Sequence, residues 1–164
     1  MSNTWKNLTG WASLEGQWLR RRHFNAEVLA HLAEQIRKSE QHHSGELVVA
    51  IEAVLPAHEA DSAQRALEVF GRLRVWDTPL NSGVLLYLAL DQRRIHIIAD
   101  RGIQAQPVQW EAICRQLEQD LAAREYLSGL LTAVSAIEQV LQQGAPAADG
   151  AAGDNALPDA PVLL

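Results

Sequence analysis

The sequence contains a single cysteine, Cys114, among 164 residues, and it has no cysteine and histidine set at the spacing of zinc ligands. One cysteine cannot form an internal disulfide, so we expect a protein of a reducing compartment without a structural zinc site. Long apolar runs are also lacking. The longest, residues 84–90, is far shorter than the roughly 20 residues that span a bilayer, and residues 1–10 contain no signal-peptide core. These absences predict a cytoplasmic protein.

Positive charge is scarce as well: 14 lysine and arginine residues stand against 20 aspartate and glutamate residues, a formal net charge of −6. A surface that binds nucleic acid needs an excess of basic side chains to neutralise phosphates and release counterions. We therefore expect no nucleic-acid partner. The sequence also lacks a glycine-rich phosphate loop, a Ser-His-Asp order and an HExxH motif, so no common catalytic motif identifies an enzyme.

The apolar content, 48% of the residues, is enough for one hydrophobic core. We predict three segments: a tryptophan- and arginine-rich helical extension over residues 1–23, one domain over residues 24–143, and a tail over residues 144–164. The tail is rich in Ala, Gly, Pro and Asp and has neither helical nor strand periodicity. Such a segment buries too little to offset its ordering entropy, so we expect it to be disordered.

The first half of the domain has the pattern helix, strand, helix. Asn25 is a suitable N-cap for a helix that ends near residue 38, and residues 46–54 form a nearly continuous apolar run, typical of a buried strand. Asp61, with a glutamine three residues later, indicates the start of a second helix. We predict that this helix directs Ala63, Leu67 and Phe70 towards the core.

The second half predicts two strands and two helices. Residues 84–90 are apolar at every position, so this strand must be covered on both faces, whereas residues 94–100 alternate. The three residues between them allow only a hairpin, so these strands are antiparallel, and the first two strands, joined by a helix, are parallel. Pro107 suits the first position of the next helix, and a last helix follows. The predicted fold class is α/β: a three-layer α/β/α sandwich with a small mixed sheet.

This topology brings polar residues from three strand ends to one edge of the sheet. The carboxylates of Glu46 and Asp100 are the candidate ligands of a divalent cation, Ca²⁺ or Mg²⁺, which prefer oxygen. The remaining residues of this predicted ligand edge are Ser44, Asn81, Ser82, Arg101 and Gly102. Turn formation is the alternative explanation, because polar residues and glycine are common where strands end.

The opposite sheet edge is the second choice for a site. It contains Glu52 and Asp91 at the carboxyl ends of the parallel strands, where open sheets usually bind ligands. Asp91 also suits a hairpin turn, which explains it without a ligand. His96, on the third strand, is a candidate base that lacks a nearby nucleophile, and a hydrogen-bonded sheet histidine is the alternative.

The N-terminal extension combines tryptophan with arginine, a composition typical of helices that lie on membranes or dock on partners. The residues concerned are Trp5, Trp11, Trp18, Arg20, Arg21 and Arg22. They predict a peripheral contact with a membrane, and hence a cytoplasmic location at the inner membrane. The alternative is that the tryptophans cap the protein's own core and the arginines are a solvated helix end.

Five blocks of this sequence occur in an order that resembles the TPM domain family. The blocks are residues 44–49 (SGELVV), 81–86 (NSGVLL), 97–103 (IIADRGI), 110–111 (WE) and 129–131 (GLL). The resemblance covers about residues 24–143. Because the chain carries no signal peptide, transmembrane helix or Gly-rich tail, it looks like the soluble bacterial subgroup of that family.

The resemblance implies an α/β/α sandwich and an accessory or binding protein, with divalent-cation binding or, alternatively, metal-assisted acid-phosphatase-like hydrolysis as its activity. Photosystem II repair and membrane-protein assembly are the biological settings that it suggests. It also implies a membrane-associated partner, either a LemA-like protein or an exported TPM protein. No residue set of this sequence matches a phosphatase motif, so the accessory role is the first of the two hypotheses.

Overall fold

One mixed sheet of four strands lies at the centre of the computed structural model, which describes residues 11–147 and 155–164. The strands are β1 (Glu46–Glu52), β2 (Gly83–Ala89), β3 (Arg94–Ala99) and β4 (Val162–Leu163). Their order across the sheet is β3-β2-β1-β4. As predicted, β1 and β2 are parallel and β2 and β3 form an antiparallel hairpin. The fourth strand, parallel to β1, was not predicted.

Five helices surround the sheet in the described part of the chain. They are α1 (Trp11–His23), α2 (Ala26–Ser39), α3 (Ser62–Arg72), α4 (Pro107–Ala122) and α5 (Tyr126–Gly144). The predicted N-cap of α2 is confirmed, since the side chain of Asn25 accepts a hydrogen bond from the Val28 amide at 3.1 Å. Pro107 is the first residue of α4, as the sequence indicates. None of the described helices has the length and apolar character needed to cross a bilayer.

The sheet is covered on both faces, which confirms the predicted α/β/α sandwich. Alternate residues of β1 and β2, such as Val49 and Leu86, pack with residues of α2, α4 and α5 in the larger core cluster. The other residues of the same strands, such as Val48 and Leu85, pack against α3 in a smaller cluster. All seven residues of β1 and all seven of β2 are buried.

The predicted inner face of α3 is largely wrong. Leu67 is exposed to solvent and Ala63 is exposed too, and only Phe70 packs on the smaller core. The buried residues of this helix are Ser62, Arg65, Ala66 and Val69. Asp61 is the N-cap, as predicted, with its side chain accepting a hydrogen bond from the Ala63 amide at 2.8 Å. The helix buries the polar residues Ser62 and Arg65 because Arg65 forms an ion pair with Glu52 of β1.

The predicted disordered tail is wrong for residues 155–164. Strand β4 pairs with Ala50 and Ile51 of β1, and the Leu164 amide donates a hydrogen bond to the Ile51 carbonyl at 3.0 Å. Leu157, Val162 and Leu164 pack on the smaller core. The segment completes the sheet at what would otherwise be the open edge of β1, and this satisfies backbone groups of that strand. Residues 148–154 of the predicted tail lie outside the described residues.

Helix α1 packs on the domain through its smallest side chains. Ala12 and Gly16 are its buried residues. A Cβ atom added at Gly16 would lie 1.9 Å from the carbonyl oxygen of Ala53, so only glycine permits this approach. Of the large apolar side chains of the helix, Leu19 packs on the larger core cluster, whereas Trp11, Leu14 and Trp18 are exposed.

Candidate functional site

The pairing of the strands gathers the residues of the predicted ligand edge. Glu46 lies opposite Gly83 in the parallel register, and the Glu46 amide donates to the Ser82 carbonyl at 3.1 Å. On the other side of β2, the Asp100 amide donates to the Gly83 carbonyl at 2.9 Å. The hydroxyl of Ser82 donates to the Ser44 carbonyl at 2.7 Å. The three strand ends are therefore tied together, with Gly83 between the two acidic residues.

Glu46 has a structural role that the sequence did not indicate. Its two carboxylate oxygens accept hydrogen bonds from the amides of Ala156 at 2.8 Å and Leu157 at 2.6 Å. Burial raises the pKa of the Glu46 carboxyl, and the two amide hydrogen bonds oppose that rise. Glu46 thus anchors the C-terminal segment beside β1, and a cation would have to compete with both hydrogen bonds.

Asp100 lies in a tightly packed pair of loops with Asn81, Arg101 and Gly102. One carboxylate oxygen of Asp100 accepts from the Arg101 amide at 2.7 Å, and the other is buried without a hydrogen-bond partner among the described residues. The Gly102 amide donates to the Asn81 carbonyl at 2.8 Å, and a Cβ atom at Gly102 would lie 2.1 Å from the Leu80 carbonyl oxygen. Turn formation therefore explains Asn81 and Gly102.

The described residues do not fit a metal centre at this edge. They include no group of three or more histidine, cysteine, aspartate or glutamate side chains that could hold a metal ion. Glu46 and Asp100 lie on opposite sides of β2, and the oxygens of Glu46 are already hydrogen-bonded. The role of these two residues as ligands of Ca²⁺ or Mg²⁺ stays a prediction.

The second-choice edge contains a buried ionic network instead of an open site. Arg65 donates two hydrogen bonds to the Glu52 carboxylate, from Nε at 3.0 Å and from Nη2 at 2.9 Å. The Tyr87 hydroxyl donates to the same carboxylate at 2.5 Å, and Arg65 also contacts Glu68 at 2.8 Å. Burial and the Glu52 contact raise the pKa of Tyr87, so the phenol stays protonated. Sequence reasoning missed Arg65 and Tyr87, and the signal that could have found Arg65 is Glu52, a carboxylate at the end of an apolar strand that needs a cationic partner when it is buried.

Asp91 is part of the hairpin turn, where Arg93 donates its amide to the Leu90 carbonyl at 3.2 Å. One oxygen of Asp91 accepts from the Leu55 amide at 3.0 Å, and the other is buried without a partner in the described part of the chain. Burial raises the pKa of the Asp91 carboxyl. The residue links the turn to the segment after β1.

His96 has a hydroxyl neighbour that the sequence did not reveal. Nε2 of His96 lies 2.8 Å from the hydroxyl oxygen of Ser62. Ser62 is buried at the start of α3, and burial lowers the pKa of His96. A buried hydroxyl cannot reach a substrate, and no hydrogen bond orients the second ring nitrogen within the described ranges. The pair is a hydrogen-bonded contact between helix and sheet.

The outer face of α1 presents three large apolar side chains to solvent. Trp11, Leu14 and Trp18 are 70%, 66% and 55% exposed, respectively. The alternative in which the tryptophans cap the core is therefore wrong for Trp11 and Trp18, while Trp5 lies outside the described residues. The last turn of the helix contains Arg20, Arg21, Arg22 and His23. The Arg20 guanidinium donates to the Leu164 carbonyl at 3.4 Å.

Comparison with known proteins gives a family match and a structural match. Residues 21–140 match a sequence family described as the TPM domain. Among solved structures, the chain is similar to the NMR structure of the BA42 protein from the psychrophilic bacterium Bizionia argentinensis, with a TM-score of 0.74 and 25% sequence identity. That similarity covers 85% of this chain and 94% of the BA42 chain. No curated protein matches this sequence.

Proposed function

The chain belongs to the TPM domain family, and from this premise we propose that it is a peripheral binding module that docks on an anionic membrane surface through α1. The observation that carries the proposal is the exposed apolar face of that helix. In this role the module acts on the cytoplasmic side of the inner membrane. A LemA-like or an exported TPM protein is then its candidate neighbour.

The three apolar side chains lie on one face of the helix. Trp11, Leu14 and Trp18 are separated by three and four residues, which is the spacing of neighbours on a helical surface. The face is not a core face, because α1 packs through Ala12 and Gly16 on its other side. Contiguous exposed apolar groups of this size mark interaction sites, and tryptophan is the residue best suited to a membrane interface.

Charge gives the helix a preferred partner. The chain has a formal net charge of −6, yet the last turn of α1 contains three consecutive arginines. An anionic bilayer attracts each basic group near its surface by about 1 kcal/mol, and it repels the acidic remainder of the chain. Because each exposed apolar side chain adds about 1–2 kcal/mol on burial, the face supports reversible attachment.

Co-sedimentation with vesicles tests this proposal. Vesicles that contain phosphatidylglycerol should bind the protein, and Trp11→Ala with Leu14→Ala should weaken binding by at least about tenfold, since two apolar anchors are lost. The matched control is Trp76→Ala, which removes a tryptophan that is 46% exposed elsewhere on the surface. This control should bind normally.

Two results would contradict membrane docking. One is equal binding of the wild type and the double variant, and the other is equal binding to anionic and to purely neutral vesicles. Retention by a protein partner that is lost in the double variant, without any vesicle binding, would replace the membrane with a protein as the docking partner.

The predicted cation site and the metal-assisted phosphatase activity based on it are the second hypothesis. The buried, unpartnered oxygen of Asp100 favours it, whereas the hydrogen bonds at Glu46 weigh against it. Amide spectra recorded during titration with Ca²⁺ or Mg²⁺ should shift at Asp100 if a cation binds there. Constant spectra at millimolar metal would exclude the site. Hydrolysis of an aryl phosphate that is unchanged in Asp100→Asn would exclude the phosphatase mechanism.

A further inference from the structure

A cavity of about 560 Å³ lies between α1, the β2–β3 hairpin and the turn that joins α4 to α5. This volume is within the usual range of small-molecule sites. Its apolar walls include Trp18, Leu19, Phe24, Leu90, Leu121 and Tyr126. The cavity is separate from both sheet edges considered above, and no sequence motif indicated it.

The charged residues of the cavity are unusual for this chain. Four arginines line it, against two glutamates, although the whole chain has a formal net charge of −6. Arg93 forms an ion pair with Glu15. The arginines are Arg22, Arg93, Arg94 and Arg124. Arg22, Arg94 and Arg124 form no ion pair with another described residue, so three guanidinium groups are available to an anion.

Two of the arginines, Arg22 and Arg124, lie near an aromatic pair in the cavity lining. His23 stacks on Tyr126 with the ring centroids 3.9 Å apart. Burial lowers the pKa of His23, and repulsion by Arg22 and Arg124 lowers it further. His23 is consequently a neutral aromatic surface, and the two arginines beside it supply the charge.

We propose that this cavity binds an anionic amphiphile, a molecule with an apolar body and a carboxylate or phosphate head group. The aliphatic and aromatic walls accept the body and exclude water from it. The planar guanidinium groups at the opening match carboxylate and phosphate oxygens in a bidentate geometry. A neutral ligand would leave these charges without a counterion, and a cationic ligand would be repelled.

The backbone at two of the arginines provides clean variants. Arg93 and Arg124 have φ angles of 52° and 65°, a conformation that is unfavourable for residues with a side chain and ordinary for glycine. Each lies at the end of a turn, with its amide donating to the Leu90 and the Leu121 carbonyl, respectively. Glycine would therefore relieve the backbone and remove the guanidinium, which separates ligand binding from folding.

Isothermal titration calorimetry on the full chain tests the proposal. Laurate and dodecyl phosphate, below their micelle concentrations, should bind, and their relative affinities distinguish a carboxylate from a phosphate preference. Dodecanol, acetate and inorganic phosphate, which each lack one part of the amphiphile, should bind at least about tenfold more weakly. Dodecyltrimethylammonium should not bind.

The glycine variants decide whether the arginines are responsible. Arg124→Gly should bind laurate or dodecyl phosphate at least about fivefold more weakly, with an unchanged or higher melting temperature. Arg93→Gly should lose less affinity, because the guanidinium that it removes is already paired with Glu15. Arg74→Gly is the matched control, since Arg74 has a φ angle of 55° but does not line the cavity. It should gain the same backbone relief and keep full affinity. Arg94→Gln, an exposed change, gives a further test if a glycine variant folds poorly.

Three outcomes would overturn the proposal. They are equal affinities for dodecanol and laurate, unchanged affinity in both the Arg124→Gly and the Arg94→Gln variant, and a ligand-free dimer in sedimentation velocity that Arg124→Gly abolishes. The last outcome would make the cavity a contact between two copies of the chain. The test is independent of membrane docking, because Trp11→Ala with Leu14→Ala leaves the cavity lining intact.

Discussion

Replacement of Arg65 by methionine should destabilise the protein more than any other single change in the ionic network. Arg65 and Glu52 are each 4% exposed, and the carboxylate accepts two hydrogen bonds from the guanidinium. Methionine fills a similar volume but leaves the Glu52 carboxylate buried without its cation. Tyr87 alone then remains as a strong donor to that carboxylate.

The magnitude follows from the loss of one partner of a buried pair, which costs about 3–5 kcal/mol in the free energy of unfolding. For a chain of 164 residues, each kcal/mol lowers the melting temperature by about 2–4 °C. Arg65→Met should therefore melt about 6–20 °C below the wild type. Urea denaturation should give the same loss, with an unchanged dependence on urea concentration.

Two further variants make the measurement specific. Glu68→Gln removes the remaining acidic partner of Arg65, but its side chain is 39% exposed, so it should cost less than about 1 kcal/mol. A double variant, Arg65→Met with Glu52→Gln, removes both buried charges. Its stability should exceed that of Arg65→Met alone, because no uncompensated charge remains.

A loss of less than about 1 kcal/mol in Arg65→Met would show that the buried charge of Glu52 is not costly, since that is the value of an exposed pair. A double variant less stable than Arg65→Met would show the same. In that case the network would act through packing and not through electrostatics.

Two other predictions concern pH and reactivity. Burial, followed by the nearby Asp159, raises the pKa of Glu40 from 4.5 to about 8. Because the folded form holds this proton more tightly, its contribution to stability is complete below pH 4.5 and is lost as the pH rises through about 8. Ionised Glu40 repels Asp159 and so weakens the attachment of the C-terminal segment. Hydrogen exchange at the Leu157 amide of that segment should therefore accelerate from pH 5 to 9 beyond its intrinsic increase, and Glu40→Gln should suppress this excess. Burial also raises the pKa of Cys114 to about 11, so iodoacetamide should react about 100-fold more slowly with the native than with the unfolded protein at pH 8; equal rates would contradict the burial argument.

The connections between strands made the sheet predictable. Three residues between the second and third strands allowed only an antiparallel hairpin, and this placed Asp100 beside the start of β2, as observed. Local patterns therefore fixed which polar residues meet at the edge. They could not show what those residues bind, because the partners come from distant parts of the chain.

Helix α3 illustrates that limit. Counting apolar side chains assigned Leu67 to the core, yet the structure exposes it and buries Arg65 instead. The helix orientation depends on the contact between Arg65 and Glu52, which lie 13 positions apart in the chain. A glutamate at the end of an apolar strand and an arginine in the helix that follows do not indicate a buried pair when each is considered alone. Only together do they indicate a buried pair.

The prediction that the C-terminal segment is disordered failed for a related reason. Its composition has too few apolar residues for an independent element, but β1 offers an open edge and Glu46 offers two acceptors for its amides. A short segment needs little burial of its own when an existing sheet supplies its partners. The composition of a segment does not show whether another part of the chain, here β1, offers an edge on which it can pack.

The carboxylates of both glutamates in β1 therefore have structural roles. Glu46, at the start of the strand, holds the C-terminal segment, and Glu52, at its end, neutralises Arg65. A ligand at either sheet edge must displace a contact that stabilises the sandwich, which makes binding there costly. Binding at the exposed face of α1 or in the arginine-lined cavity beside it carries no such cost. Trp11 and Trp18 are exposed, and Arg22, Arg94 and Arg124 of the cavity form no ion pair with another described residue. We therefore expect ligands and partners to bind around α1, the helix that the glycine at position 16 allows to approach the sheet.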